Sequence, residues 1–272
     1  PTTDGGLGFD AFWYADFYHH LVGGSDKGSD YAKLIRSCGD GGDGPLAMDY
    51  FAGALTASAN DTVVYASVHD HAGNAEQSAR NIVLASGGAP LIGDTRRFAE
   101  ARCRFAAGMT MMSAGTPFFF MGEEVAAANR YTYDTFLDNR EDLRRLRVEE
   151  GAAMFRFHQD VIRFYRRHPA LRSREIDVVY THNENRIIAF LRRQGPDLLL
   201  IVGSLNNRPF REGYELPMQR VPDAWWKEIF NSDAEAYGGW NIGNGGHGRQ
   251  SVGGRLTSIL PACGFVVFTR VG

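Results

Sequence analysis

With 272 residues, 44% of them hydrophobic and 22% charged, the chain has the composition of a globular protein long enough for two domains. A formal net charge of -3 leaves no basic footprint for nucleic acid or an anionic membrane surface, and no apolar run approaches the ~20 residues that span a bilayer. Cys38, Cys103 and Cys263 lie far apart without metal-ligand spacing, which fits a reducing cytoplasm better than a disulfide framework; neither a metal nor a cofactor is expected.

The first part of the chain alternates short apolar strands with helical segments, the pattern of a parallel βα sheet or barrel. "DTVVYASV" reads as a buried strand ending at Val68. "DTRRFAEARCRFAAGMTMM" follows as a helix, with Asp94 as N-cap and Phe98, Phe105, Met109 and Met112 along one face. "GTPFFFMGEE" reads as a second buried strand entered through a Gly-Thr-Pro turn. "NREDLRRLRVEE", residues 139 to 150, balances its charges and predicts a solvated helix or loop. In "AAMFRFHQDVIRFYRRHPAL", the stripe Met154, Phe157, Val161, Phe164 and Tyr165 predicts an amphipathic helix stopped by Pro169. From about residue 174 the spacing shortens to "IDVVYTH", "NRIIAFLRR", "DLLLIVGSL", "WWKEIFNS" and "GFVVFTR", separated by turn-formers, which predicts an antiparallel β-sandwich. The expected division is therefore 1–173 and 174–272.

In a βα barrel the residues just after each strand carry the chemistry. His69 and Asp70 follow the first buried strand, and Met121, Gly122, Glu123 and Glu124 follow the second. On pattern alone a His-Asp dipeptide reads equally as turn chemistry, so its position on the reactive face is what singles it out. "GNGGHG", Gly243 to Gly248, satisfies GxGxxG in letters, but no strand enters it and no helix leaves it, which predicts a loop and no dinucleotide site.

"YASVHDHAGN" resembles the seventh-strand motif of the α-amylase superfamily, glycoside hydrolase family thirteen, and "GTPFFFMGEE" resembles its eighth strand, in the same order and spacing. "GGLGFDAFWYADFYHHL", residues 5 to 21, is similar to the segment after the catalytic glutamate in glycogen branching enzymes and trehalose-releasing relatives, and "IFNSDAEAYGGWNIGNGG" to the C-terminal β-domain of branching enzymes. The resemblance implies an α/β plus all-β chain: the C-terminal portion of a (β/α)8 barrel followed by an antiparallel β-sandwich domain.

It also implies an assignment for each residue. Asp70 becomes the third carboxylate, a transition-state stabiliser that holds hydroxyls of the distorted sugar, and His69 binds the same ring. A preorganised carboxylate helps most where an oxocarbenium-like transition state gathers positive charge. Glu124 would line the cleft, and Trp13, Tyr14, His19 and His20 could line a sugar platform. For Trp13 and Tyr14 a packed position at the core edge is an equal alternative.

Three departures from the pattern stand out. Val68 replaces the usual asparagine or serine, and His71 the usual glutamine or glutamate. Asp10 in "GLGFDAFW" resembles the nucleophile motif but has Gly8 where that motif carries arginine, so the nucleophile and acid/base are expected in a missing N-terminal part of the same enzyme. The implied function is a retaining cytoplasmic enzyme of glycogen synthesis that cleaves α-1,4 links of glycogen, amylose or maltooligosaccharides and transfers the chain to a 6-hydroxyl. A trehalose-releasing or debranching hydrolase, or a non-catalytic glucan-binding chain, is the alternative.

Overall fold

The structure is a computed structural model that describes residues 8–23, 30–135 and 137–271, so Gly5, Gly6 and Leu7 of the first motif lie outside the described residues. Strands β1 (Phe12–Trp13), β2 (Thr62–Tyr65) and β3 (Thr116–Phe118) form a parallel sheet in the order β1-β2-β3, with Trp13 opposite Val63 and Tyr65 opposite Phe118. Helices α1 (Ala15–Leu21), α2 (Leu34–Gly39) and α3 (Met48–Ala57) connect β1 to β2; α4 (Asn81–Ala85) and α5 (Gly93–Met112) connect β2 to β3. Among the described residues β1 and β3 each pair with β2 alone, so both edges of this sheet are open.

The first buried strand ends at Tyr65, three residues before the expected Val68, and Asp70 to Asn74 form a π-helical turn. His69 and Asp70 are therefore carried by that turn and not by the strand end itself. Asp94 is likewise no N-cap: α5 begins at Gly93 after Ile92, and the carboxylate sits in the first turn, where it faces the positive end of the helix dipole. The expected stripe holds, with Phe105, Met109 and Met112 fully buried and Phe98 packed against the same core. Short α6 (Leu143–Leu146) is capped by Asp142, whose carboxylate accepts from the Arg144 and Arg145 amides at 3.0 Å each. Helix α7 (Ala152–Arg167) buries Met154, Phe157, Val161 and Phe164, and Pro169 opens a 3-10 turn after it.

The second part is antiparallel. Strands β4 (Ile176–His182), β5 (Ile187–Gln194), β6 (Asp197–Ser204), β7 (Phe210–Pro217), β8 (Trp225–Asn231), β9 (Gly248–Gln250), β10 (Arg255–Leu260) and β11 (Gly264–Val271) make a six-stranded sheet, β4-β5-β6-β11-β8-β9, and a two-stranded sheet, β10-β7. Leu191, Leu200, Trp226 and Phe268 fill the layer around Leu216 and Leu256 of the smaller sheet. Phe190, Ile201, Phe265 and Val267 of the larger sheet join the same core as α5 and α7.

The contact between helices and sheet is close because a glycine permits it. A methyl group at Gly108 of α5 would stand 2.0 Å from Cε1 of Phe265. Arginines hold the seam from the other direction. Arg192 of β5 donates to the carbonyls of Met112, Ser113, Leu171, Ser173 and Glu175, and Arg104 of α5 to those of Ser232 and Tyr237. Both side chains are fully buried, and these cations are spent on backbone carbonyls.

Candidate active site

The last residues of the three parallel strands are Trp13, Tyr65 and Phe118, and their rings meet edge to face, 5.3 Å between Trp13 and Tyr65 and 5.2 Å between Trp13 and Phe118. Tyr65 is buried, whereas Trp13 keeps 55% of its surface exposed, so this aromatic cluster forms a partly open floor at the carboxyl end of the sheet. Burial pushes the Tyr65 phenol up to about 12, with the negative charges of Asp70 and Asp16 adding to the effect.

Asp70 projects above this floor. Its side chain is 57% exposed, its Oδ2 lies 3.7 Å from Nε2 of His69, and its Oδ1 accepts a 2.5 Å hydrogen bond from the Tyr133 hydroxyl. That bond pushes the Tyr133 phenol up to about 12, because the neighbouring carboxylate opposes a second negative charge. The backbone under Asp70 is tied down although the side chain is not. The Ala75 amide donates to its carbonyl at 2.9 Å, Asn74 Nδ2 donates to the carbonyls of His69 (2.7 Å) and Tyr131 (3.1 Å), and Asn74 Oδ1 accepts from the Tyr133 amide at 2.8 Å. Gly73, at φ 154°, lets the segment 130–131 come close: a methyl group there would stand 2.6 Å from the Tyr131 carbonyl oxygen. A carboxylate on a braced turn with its oxygens toward solvent is preorganised to accept hydrogen bonds from a ligand.

The other predicted residues divide. His69, with its side chain 52% exposed, stands beside Asp70 with its ring 5.8 Å from Tyr133 and 6.4 Å from Phe120. Glu124 turns back on its own loop, where Oε2 accepts from the Gly122 amide at 2.8 Å. Tyr14 packs against the main core, and burial raises its phenol, with Asp16 assisting. His19 and His20 belong to a ring stack, His19 on Tyr31 at 4.7 Å and His20 edge-on to the same ring at 5.1 Å. His71 lies flat on Tyr18, centroids 3.8 Å apart. Asp10 is exposed on a bend before β1. The structure thus brings Asp70, His69 and Trp13 to one open face and assigns Tyr14 to packing. Sequence reasoning passed over Tyr133 and Asn74. The only signal for Tyr133 is an alternating aromatic pair in "NRYTYD", too short to mark a site.

Residues 178–271 match the family described as the α-amylase C-terminal all-beta domain. The 1,4-alpha-glucan branching enzyme GlgB of Rhizobium meliloti (strain 1021) is 28% identical over 268 residues, covering 96% of this chain and 33% of that protein. GlgB 2 of Xanthomonas oryzae pv. oryzae (strain MAFF 311018) is 32% identical over 196 residues, 66% of this chain and 25% of the relative. Among solved structures, the α-amylase of Geobacillus thermoleovorans complexed with acarbose superposes with a TM-score of 0.66 at 12% identity, over 97% of this chain and 49% of that one. The pullulanase of Bacillus acidopullulyticus superposes with a TM-score of 0.64 at 16% identity, over 97% and 31%. The resemblance to the α-amylase superfamily, and to branching enzymes within it, is borne out, and the antiparallel second part is an α-amylase-type C-terminal domain. The chain spans about one third of the length of the full-coverage branching-enzyme relatives.

Proposed function

We propose that this chain is the C-terminal portion of a retaining 1,4-α-glucan branching enzyme, with Asp70 as the transition-state carboxylate. In this reading residues 1–173 complete the barrel as its last three strands, residues 174–272 form the β-domain, and the nucleophile and acid/base are supplied by the missing N-terminal part. The observation that carries it is the placement of an exposed, braced Asp70 beside His69, just beyond parallel strands whose carboxyl ends carry Trp13, Tyr65 and Phe118, in a chain aligned to branching enzymes over nearly its whole length. The open edges of β1 and β3 support the barrel: parallel sheets occur almost only within larger, covered sheets, and Phe9, Phe12 and Trp13 stand more than half exposed beside the unpaired edge.

Chemically, the glycosyl group of an α-1,4-glucan would be held by the absent nucleophile, while Asp70 accepts hydrogen bonds from hydroxyls of the distorted ring. Those bonds strengthen as positive charge develops, so they favour the transition state over the bound substrate. The Tyr133 hydroxyl donates to Asp70 at 2.5 Å, the same kind of bond that a sugar hydroxyl would make to this carboxylate. Glu124 acts through the shape of its loop, and Trp13 offers an exposed ring to a sugar face. The deciding experiment is product analysis on amylose and on a branched α-glucan such as glycogen with the purified full-length protein. New α-1,6 links at constant reducing-end count support branching; released maltooligosaccharide or trehalose supports the hydrolase alternatives; binding without turnover supports a non-catalytic glucan-binding protein.

A further inference from the structure

Behind the turn that carries Glu124 lies a narrow cavity of about 20 Å³, lined by Arg80 and Asn81 at the start of α4, Cys103 of α5, Glu123 of the turn and His158 of α7. Three of these residues bring buried polar atoms without a hydrogen-bond partner among the described residues: Oδ1 of Asn81, Oε1 of Glu123 and Nε2 of His158. A buried polar atom left without a partner forfeits its hydration with nothing in exchange, so three around one small cavity ask for a common partner.

The hydrogen-bonding roles are fixed by the neighbours. Nδ1 of His158 lies 3.0 Å from the Met154 carbonyl, which can only accept, so Nδ1 carries the hydrogen and Nε2 presents a lone pair. Oδ1 of Asn81 is also an acceptor. We propose that the cavity is a binding site for one internal water molecule, which donates to Asn81 Oδ1 and His158 Nε2 and accepts from the Oε1 hydroxyl of a protonated Glu123. Its two hydrogens and a lone pair match the three orphaned atoms, and a volume of ~20 Å³ exceeds the 10–15 Å³ that a single water requires.

The electrostatics agree with the protonation that this pattern needs. Burial pushes the Glu123 carboxyl up to about 8, against the smaller opposing effects of hydrogen bonds from Phe120 and Ser67 and of the Arg80 charge; Glu124 adds to the rise. Burial pulls the His158 imidazole down to about 4, keeping it neutral. The charged and titratable groups facing Glu123 are thus Arg80 from the α4 side, Cys103 from α5, His158 from α7 and Glu124 from its own turn. Arg80 gives its Nε and one terminal nitrogen to the carbonyls of Asn129 (2.9 Å) and Met121 (2.7 Å), and none of its nitrogens is hydrogen-bonded to the three orphaned atoms. The water links α4 and α7 to the turn that follows β3, and so positions the loop bearing Glu124.

The test is a crystal structure of the intact protein at about 1.5 Å or better, with a carbon-13 carboxyl titration of Glu123. One ordered water within hydrogen-bond distance of all three atoms, and a titration midpoint near 8 instead of 4.5, are expected. A dry cavity, or a midpoint at the ordinary value, overturns the proposal. Glu123→Gln supplies a second reading, because its amide can donate where the acid did: it should keep the water and the His158 Nδ1–H tautomer in nitrogen-15 spectra. Loss of the water in that variant also overturns the assignment.

Discussion

Arg192 allows the seam between the two parts of the chain to be tested quantitatively. Its guanidinium is fully buried with no carboxylate partner among the described residues; burial pulls it down to about 10, which still leaves it charged at neutral pH. Nε donates to Glu175 at 3.0 Å, one terminal nitrogen to Met112 at 2.6 Å and to Ser113, and the other to Leu171 at 3.3 Å and Ser173 at 2.8 Å. In Arg192→Met all five carbonyls lose their donor. Those of Ser173 and Glu175 lie near the surface and can rehydrate, but Met112, Ser113 and Leu171 are buried residues. At ~1–2 kcal/mol for each acceptor left dry, the loss is about 3–6 kcal/mol. Arg192→Lys retains the charge but offers three donors on a point-like head, and should lose about 2–3 kcal/mol. Urea and thermal unfolding, followed by circular dichroism on the protein and both variants, give the ranking wild type, Lys, Met. Replacing a buried charge by an apolar side chain can also stabilise, since the cost of desolvating the cation disappears. If Arg192→Met unfolds at or above the wild-type midpoint, that cost outweighs the five hydrogen bonds, and the role of Arg192 as a clamp is refuted.

In the full-length enzyme, Asp70→Asn should lower kcat by several orders of magnitude while moving the unfolding midpoint by no more than a surface change does, about 0.5 kcal/mol; wild-type turnover would remove Asp70 from the chemistry. Gly108→Ala drives a methyl group into the Phe265 ring and should destabilise by ~1–3 kcal/mol or more, read as a lower urea midpoint, and a neutral outcome would mean that α5 does not press on β11 as described. Stability should also depend on pH with a defined shape. Glu123 holds a proton in the folded state up to about 8 that the unfolded chain releases near 4.5, so its contribution is complete below 4.5 and is lost as pH rises through 8. His158 acts oppositely, losing its contribution as pH falls from 6.5 through about 4. The two slopes cancel between about 4.5 and 6.5, and above 6.5 stability should fall by ~1.4 kcal/mol per unit until about 8, a limb that Glu123→Gln abolishes; an unchanged limb in that variant assigns it elsewhere. On the barrel reading, the chain expressed by itself should self-associate through the open edges of β1 and β3, and sedimentation that shows a stable monomer would count against that reading.

Local pattern was enough for the elements that bury one face at a regular period. The stripe of α7 declares itself through spacing, because burial on one side imposes a period of 3.6 on the side chains; β5, β6 and β11 are buried on both faces and stand out instead as continuous apolar runs. Strands β7 and β10 escaped notice because they cover only one side of the sandwich and alternate weakly, as in "FREGYELP". Motif order pointed to Asp70 and His69, since a short conserved-type string keeps its meaning wherever the chain carries it.

What surrounds that string was settled only by tertiary structure. The 2.5 Å bond from Tyr133 to Asp70 joins residues 63 positions apart, and no local propensity encodes such a meeting. Trp13, Tyr65 and Phe118 come together because parallel strands align their carboxyl ends, a consequence of register between segments some fifty residues apart. The buried arginines and the Asn81, Glu123 and His158 cavity follow the same rule. A charged or polar letter in the sequence predicts solvent, and only the carbonyls or orphaned atoms that distant segments place around it decide that it is interior. Periodicity and motif are properties of neighbours along the chain, and they determined the elements and the family; desolvation and hydrogen-bond partnership are properties of neighbours in space, and they determined the site.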